Sequence, residues 1–113
     1  MSPDLAQFLD QHGFPRDRLS APQADGRFTP LMRACYHGNP ALLQRLIDAG
    51  IEIDHQNGNG ATCLMYVSSN GKAELVRLLL ANGADPALRN LDDFSALDLA
   101  STVDCLRLLK MAA

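Results

Sequence analysis

Phe28-Thr29-Pro30-Leu31-Met32-Arg33-Ala34-Cys35-Tyr36-His37-Gly38-Asn39 opens a unit that the chain then repeats. The triplet Thr29-Pro30-Leu31 returns as Thr62-Cys63-Leu64 and as Ser95-Ala96-Leu97, each time 33 residues on. Gly38 and Gly71 keep that interval, and so do Gly50 and Gly83. Within a unit, Thr29 is placed to cap a helix that begins with Pro30, where a missing N–H does no harm. That helix stops at Gly38, and Asn39-Pro40 repeats the device for a second helix carrying Leu42, Leu43, Leu46 and Ile47 at helical spacing up to Gly50. The next copy reads the same way: a helix from about Cys63 to Asn70, a turn at Gly71, then Leu75, Val76, Leu78, Leu79 and Leu80 before Gly83. Self-similarity at this period marks a stacked-repeat protein, whose units bury their apolar faces only against neighbours. Such a scaffold offers a long surface rather than a cleft.

Between the helix pairs run segments rich in Asn, Asp and Gly. They span 12 residues from Gly50 to Thr62 and again from Gly83 to Ser95, which suits a projecting turn or hairpin. Asn57-Gly58-Asn59-Gly60 is the clearest of these; it lacks the strand-to-helix setting and the lysine of a phosphate loop, and is a turn.

These residues resemble the ankyrin repeat family, through the string from Phe28 to Asn39 and through Glu74-Leu75-Val76-Arg77-Leu78-Leu79-Leu80-Ala81-Asn82-Gly83-Ala84-Asp85. The resemblance covers roughly residues 25–110. It implies an all-α solenoid of stacked helix pairs with short β-hairpin or turn fingers. One domain over 1–113 is expected: a capping helix at 2–13, repeats at 25–57 and 58–90, and a truncated repeat with the C-terminal cap at 91–113. Departures from the family pattern are visible. Met32, Met65 and Asp98 replace its usual histidine, Cys63 and Ala96 its proline, and Arg27 and Asp93 stand where a turn glycine is usual. The third copy is short: the motif leucine lies 15 residues before the paired apolar position in the first two (31 to 46, 64 to 79) but 12 in the third (97 to 109). Its glycine turn is missing, and Lys110 takes the place of Ile47 and Leu80, as suits a terminal unit. At the other end, Ser2-Pro3-Asp4 starts a helix with Leu5, Phe8 and Leu9 on one face and a stop at Gly13; Pro15 and Pro22 keep the link that follows irregular. Leu31, Leu64 and Leu97 are expected in the core with Ala34, Val67 and Ala100.

The 113 residues suffice for one domain, and 47% hydrophobic against 20% charged residues favours folding over disorder. A formal charge of −3 with dispersed basic residues, Arg16 and Arg18 being the nearest to a patch, argues against nucleic-acid or anionic-membrane binding. No apolar run approaches the ~20 residues of a membrane span, and Met1-Ser2-Pro3-Asp4 lacks the features of a signal peptide, so a cytoplasmic protein is expected. Cys35, Cys63 and Cys105 show no zinc-ligand spacing, and neither metal nor cofactor is expected. A thiol-based redox sensor or enzyme using Cys35 or Cys63 is the alternative. Against it, free cysteines behave as small buried hydrophobes, and His37, two positions from Cys35 on a helix, does not face it. His12, His37 and His55 fall on different faces, and Asp92-Asp93 suits a solvated turn, so the expectation is no catalysis.

The resemblance also implies where a partner would bind: a concave stripe of finger tips and exposed first-helix positions. Carried over by position, it comprises Phe28, Arg33, Tyr36, His37, Asn59, Tyr66, Ser69, Asn70, Leu91, Asp92 and Phe94. Thr102 and Val103 correspond to Tyr36 and His37 in the third copy, and Asp25, Ala61 and Leu99 complete the register. With four Phe, two Tyr and no Trp in the chain, it matters that Phe28, Tyr36, Tyr66 and Phe94 fall in this set, because binding energy concentrates in such anchors. Tyr66 and Phe94 equally suit gaps between adjacent units. The expected function is recognition of a protein partner by a small adaptor or a direct inhibitor of immunity type, monomeric when unbound.

Overall fold

The computed structural model describes residues 3–11 and 30–112. Within them lie helices α1 (Pro3–Gln11), α2 (Pro30–His37), α3 (Pro40–Asp48), α4 (Cys63–Ser69), α5 (Ala73–Ala81), α6 (Ala96–Leu99) and α7 (Val103–Ala112). The chain divides into two compact units, residues 1–52 with α1 to α3 and residues 53–113 with α4 to α7. Phe28, Thr29 and the expected link over 14–24 lie outside the described residues, as do Ser2, His12 and Gly13.

In the first unit α3 packs against both α1 and α2. Asn39 caps α3, its Oδ1 accepting the Leu42 N–H at 3.2 Å, and Pro40 occupies the first turn. Phe8 and Leu9 of α1 are buried with Leu31, Ala34, Cys35, Leu42, Leu43 and Leu46. In the second unit α4 packs on α5 and α6, and α7 packs on α5 and α6, so first helix stacks on first and second on second. Leu64, Met65, Val67, Leu75, Val76, Leu79, Cys105 and Leu109 form its interior.

The ends of α3, α4 and α5 follow one rule. Gly50, Gly71 and Gly83 all have positive φ, and in each case the glycine N–H and the N–H after it turn back onto the helix just ended. Gly71 donates to the Ser68 carbonyl at 3.2 Å and Lys72 to that of Val67 at 3.0 Å; Gly83 and Ala84 repeat the pair on Leu80 and Leu79. This glycine-dependent stop satisfies carbonyls that a helix otherwise leaves orphaned.

The third copy departs from the sequence expectation in register. Its first helix is a single turn, α6, started by a reciprocal cap: Ser95 Oγ accepts the Asp98 N–H at 3.3 Å and Asp98 Oδ2 accepts the Ser95 N–H at 2.9 Å. The chain then extends through Ala100. Thr102 lies beyond that first helix, where its Oγ1 caps α7 by accepting the Cys105 N–H at 3.2 Å, and Val103 is the first residue of α7. With three residues deleted, the chain reaches α7 without a glycine turn. Leu97 and Ala100, expected in the core, are only half-buried, because no further helix pair covers them among the described residues; Leu97 instead lines an open cavity of about 270 Å³ with Pro86, Ala87 and Leu109.

Candidate functional site

The fingers of the second unit are built from side chains as much as from backbone. At Asn57 the turn closes with the Gly60 N–H donating to the Asn57 carbonyl at 2.8 Å and the Asn57 N–H to the Ala61 carbonyl at 3.0 Å. Asn57 Oδ1 accepts two further N–H groups, from Asn59 at 2.9 Å and Ala61 at 3.0 Å. Thirty-three residues on, Asn90 repeats every bond: the Asp93 N–H reaches its carbonyl, its own N–H reaches that of Phe94, and its Oδ1 accepts from Asp92 and Phe94, all at 3.0 Å. Gln56 and Arg89 also correspond, each donating to the carbonyl of the left-handed residue four places on, Gly60 at 2.9 Å and Asp93 at 2.8 Å. The two fingers are joined by the Leu91 N–H on the Asn59 carbonyl at 3.0 Å and by Gln56 Nε2 on the Arg89 carbonyl at 2.9 Å. Arg89–Ser95 is an isolated bridge, so among the described residues these fingers are turns rather than strands.

At the tip of the second finger Leu91 is 77% exposed and Phe94 48% exposed, with Asp92 and Asp93 between them in solvent. Arg89 holds the base of this finger to α6, lying 3.8 Å from the Asp93 carboxylate and 3.6 Å from that of Asp98. Hydrogen bonds from the Ser95 backbone N–H and then its hydroxyl, with Arg89 adding to them, hold the Asp98 carboxyl below the usual carboxylate range. Asn59 is exposed at the first finger tip.

On α4, Tyr66 is half-buried, whereas Ser69 and Asn70 are exposed. The polar groups of both fold back onto the Tyr66 carbonyl, Ser69 Oγ at 2.8 Å and Asn70 Nδ2 at 2.9 Å, and so finish their own helix.

The first unit has a patch of its own at the end of α2. Tyr36 is 51% exposed. The Arg33 guanidinium lies 5.9 Å from its ring centroid, a cation–π distance. The exposed His37 ring meets Tyr36 edge-on at 5.6 Å and Phe8 of α1 edge-on at 6.5 Å. Tyr36 and His37 thus sit at the exposed helix end that the repeat register gives them. Phe28 is outside the described residues.

Cys35, Cys63 and Cys105 form no disulfide and are buried, which leaves their sulfurs inaccessible to solvent. Among the described residues no group of His, Cys, Asp and Glu could hold a metal ion, and no helix is long and apolar enough to cross a membrane.

Other groups lie at the surface of the second unit. Arg77 and Arg107 line an open cavity of about 260 Å³ with Ala73, Asp104 and Leu108, between α5 and α7. Its charges are mixed, and no nucleophile faces a base in it. Val103 and Met111 are exposed apolar residues on α7. In the sequence, the role of Arg89 shows only through its 33-residue relation to Gln56.

Residues 4–112 match the family model described as ankyrin repeats, three copies. Among curated proteins, the chain is 40% identical over 72 residues to the mouse (Mus musculus) ankyrin repeat and SAM domain-containing protein 6, which covers 63% of this chain and 8% of that protein. It is 32% identical over 87 residues to an ankyrin repeat-containing protein of Treponema pallidum (strain Nichols), covering 77% of this chain and 28% of that one. The ankyrin repeat domain of Bcl-3, a member of the IkappaB protein family, superimposes with a TM-score of 0.78 at 28% identity, over 92% of this chain and 44% of that structure. The chain therefore spans less than a third of these curated relatives.

Proposed function

The chain belongs to the ankyrin repeat family, whose repeats are protein–protein interaction modules, and on that footing we propose that it binds a protein partner without catalysis. It acts as a small adaptor or a direct inhibitor, monomeric until bound, in the cytoplasm. The observation that carries this reading is the exposure of Tyr36, Leu91 and Phe94, three large apolar groups held at the surface by the local structure around them. Rigid aromatics of this kind give contact area at little entropic cost, and anchors of this type dominate binding energy. On the first unit Arg33 and His37 stand beside Tyr36; on the second Asn59, Tyr66, Ser69, Asn70 and Asp92 are further contacts in this reading, and Phe28 belongs to the set by register. Burial of all three thiols leaves the redox alternative without an accessible group.

Co-purification from native lysate with mass spectrometry supplies candidate partners, and titration of each purified candidate tests the reading. Tyr36→Ala and Tyr66→Ala are expected to weaken binding by about 2 kcal/mol or more for at least one of them. Arg45→Ala and Arg77→Ala on the second helices should leave affinity unchanged. The reverse pattern would move the site to the second-helix side. Loss of the partner's own activity in the complex marks an inhibitor, and its retention an adaptor.

A further inference from the structure

Four Asn-Gly pairs occur in the chain, at Asn57, Asn59, Asn70 and Asn82, and their environments differ in the way that matters for the chemistry of that dipeptide. The backbone nitrogen of a residue following asparagine can attack the side-chain amide carbon, and glycine, lacking Cβ, hinders this least. At Asn70 and Asn82 the Nδ2 groups are tied to the carbonyls of Tyr66 at 2.9 Å and Leu78 at 2.8 Å, and both following glycines donate their N–H to a helix carbonyl. At Asn59 the following nitrogen, that of Gly60, is engaged with the Asn57 carbonyl at 2.8 Å.

Asn57 is arranged differently. Its Oδ1 sits between two backbone N–H donors, Asn59 at 2.9 Å and Ala61 at 3.0 Å, and negative charge develops on that oxygen when the amide carbon is attacked. The Gly58 N–H makes no hydrogen bond to a described residue, and Gly58 is exposed with open space around it. The two bonds also hold the Asn57 side chain against the turn that follows it and restrict its rotation.

We propose that Asn57 is a built-in site of spontaneous modification, converted through a succinimide faster than any other asparagine in the chain. The Gly58 nitrogen gives up its proton to solvent base and forms a bond to the Asn57 amide carbon. The bond from that carbon to Nδ2 breaks, and ammonia leaves carrying the proton it gains from water. Water then opens the ring at either carbonyl, giving aspartate or isoaspartate at position 57. Aspartate keeps an acceptor for both N–H donors and adds one negative charge. Isoaspartate inserts a methylene into the main chain and breaks the turn that the Asn57 N–H and carbonyl close. Asn90, with the same two-donor cradle, is followed by Leu91, whose nitrogen is committed to the Asn59 carbonyl, and stays intact.

The test is incubation of the folded chain in mildly alkaline buffer, followed by peptide mapping with fragmentation to separate Asn57, Asn59 and Asn70, which share the tryptic peptide 46–72. Conversion at Asn57 is expected several-fold ahead of the other three sites, and in urea the four rates should converge. Gly58→Ala, at a position with neither positive φ nor crowding, should keep the fold and slow conversion at Asn57 by about tenfold or more. Conversion at Asn57 slower in the folded chain than in urea would overturn the proposal. So would native conversion led by Asn59, Asn70 or Asn82.

Discussion

The second and third repeats lie in one compact unit, share the same finger and differ in their helices. Asn57 and Asn90 make the same set of bonds, yet α4 has seven residues where α6 has four. The finger is therefore specified locally, by one asparagine and its neighbours. The first helix is specified by what it must cover. Gly71 ends α4 in a left-handed turn, and the shortened third repeat lays its own link against that turn: the Ser101 N–H and Oγ both donate to the Ser68 carbonyl, at 3.1 and 3.4 Å. Loss of three residues thus removes helix while keeping the attachment to the repeat before it.

The largest test of this contrast is in the core. Leu64, buried on α4, should lose about 2–5 kcal/mol of stability on Leu64→Ala. Leu97 holds the same motif position on α6 but is half-buried, and Leu97→Ala should cost clearly less. Urea unfolding of both variants measures the gap, and equal losses would mean that the third repeat packs as tightly as the second.

Next in size is the junction itself. A Cβ on Gly71 would stand 2.7 Å from Thr102 Cγ2, at a φ of +70° that side chains resist. Gly71→Ala is expected to cost about 2 kcal/mol or more. Adding Thr102→Ser removes the offending methyl while keeping the hydroxyl that caps α7, so part of the loss should return. No recovery in the double variant would place the whole cost in the backbone.

The fingers give a smaller and asymmetric pair of effects. Gly60 and Asp93 occupy matching left-handed positions, with φ of 75° and 67°. Gly60→Ala would press a methyl to 2.9 Å from the Leu91 nitrogen and should cost about 1–3 kcal/mol. Asp93→Gly relieves a side chain in a disfavoured region and should gain about 0.5 kcal/mol, since the exposed ion pair it gives up is worth little. Thermal melts of the two variants should move in opposite directions.

The smallest effect is the pH response of α6. Asp98 is favoured as the carboxylate by its bonds to Ser95, so its contribution is present above the unfolded carboxylate range and is lost as pH falls through the lowered folded value. Asp98→Asn should flatten that acid limb of the stability curve without altering stability's response at neutral and alkaline pH. Because the group is exposed, the change should be slight.

Much of this could be read from the sequence where a single residue decides the backbone. Asn39-Pro40, Thr62, Gly50, Gly71 and Gly83 each mark a helix end by their own chemistry, and the boundaries fall beside them. The third repeat resisted because its register depends on packing: nothing local says that a helix begun at Ser95 should stop after four residues, or that Thr102 should cap the next one. Among the candidate contact residues, the exposure of Tyr36 and Leu91 followed from register, whereas for Phe94 register left a gap between units equally open. That Ser69 and Asn70 would turn back onto the Tyr66 carbonyl did not, since a polar side chain at a helix end can equally serve its own backbone. In the sequence Asn57 reads only as part of a turn, because its two-donor cradle is a matter of hydrogen-bond direction, which spacing does not carry.

The bonds between the fingers have a mechanical consequence. The Leu91 N–H on the Asn59 carbonyl and Gln56 Nε2 on the Arg89 carbonyl are two struts between adjacent loops, one near the tips and one near the base. Two struts at different heights resist shear as well as separation, as one could not. A force that tilts either finger is delivered to its neighbour instead of being absorbed at a hinge, so the pair deflects as one stiff plate. A ligand pressing on Leu91 or Phe94 would feel the compliance of both loops together.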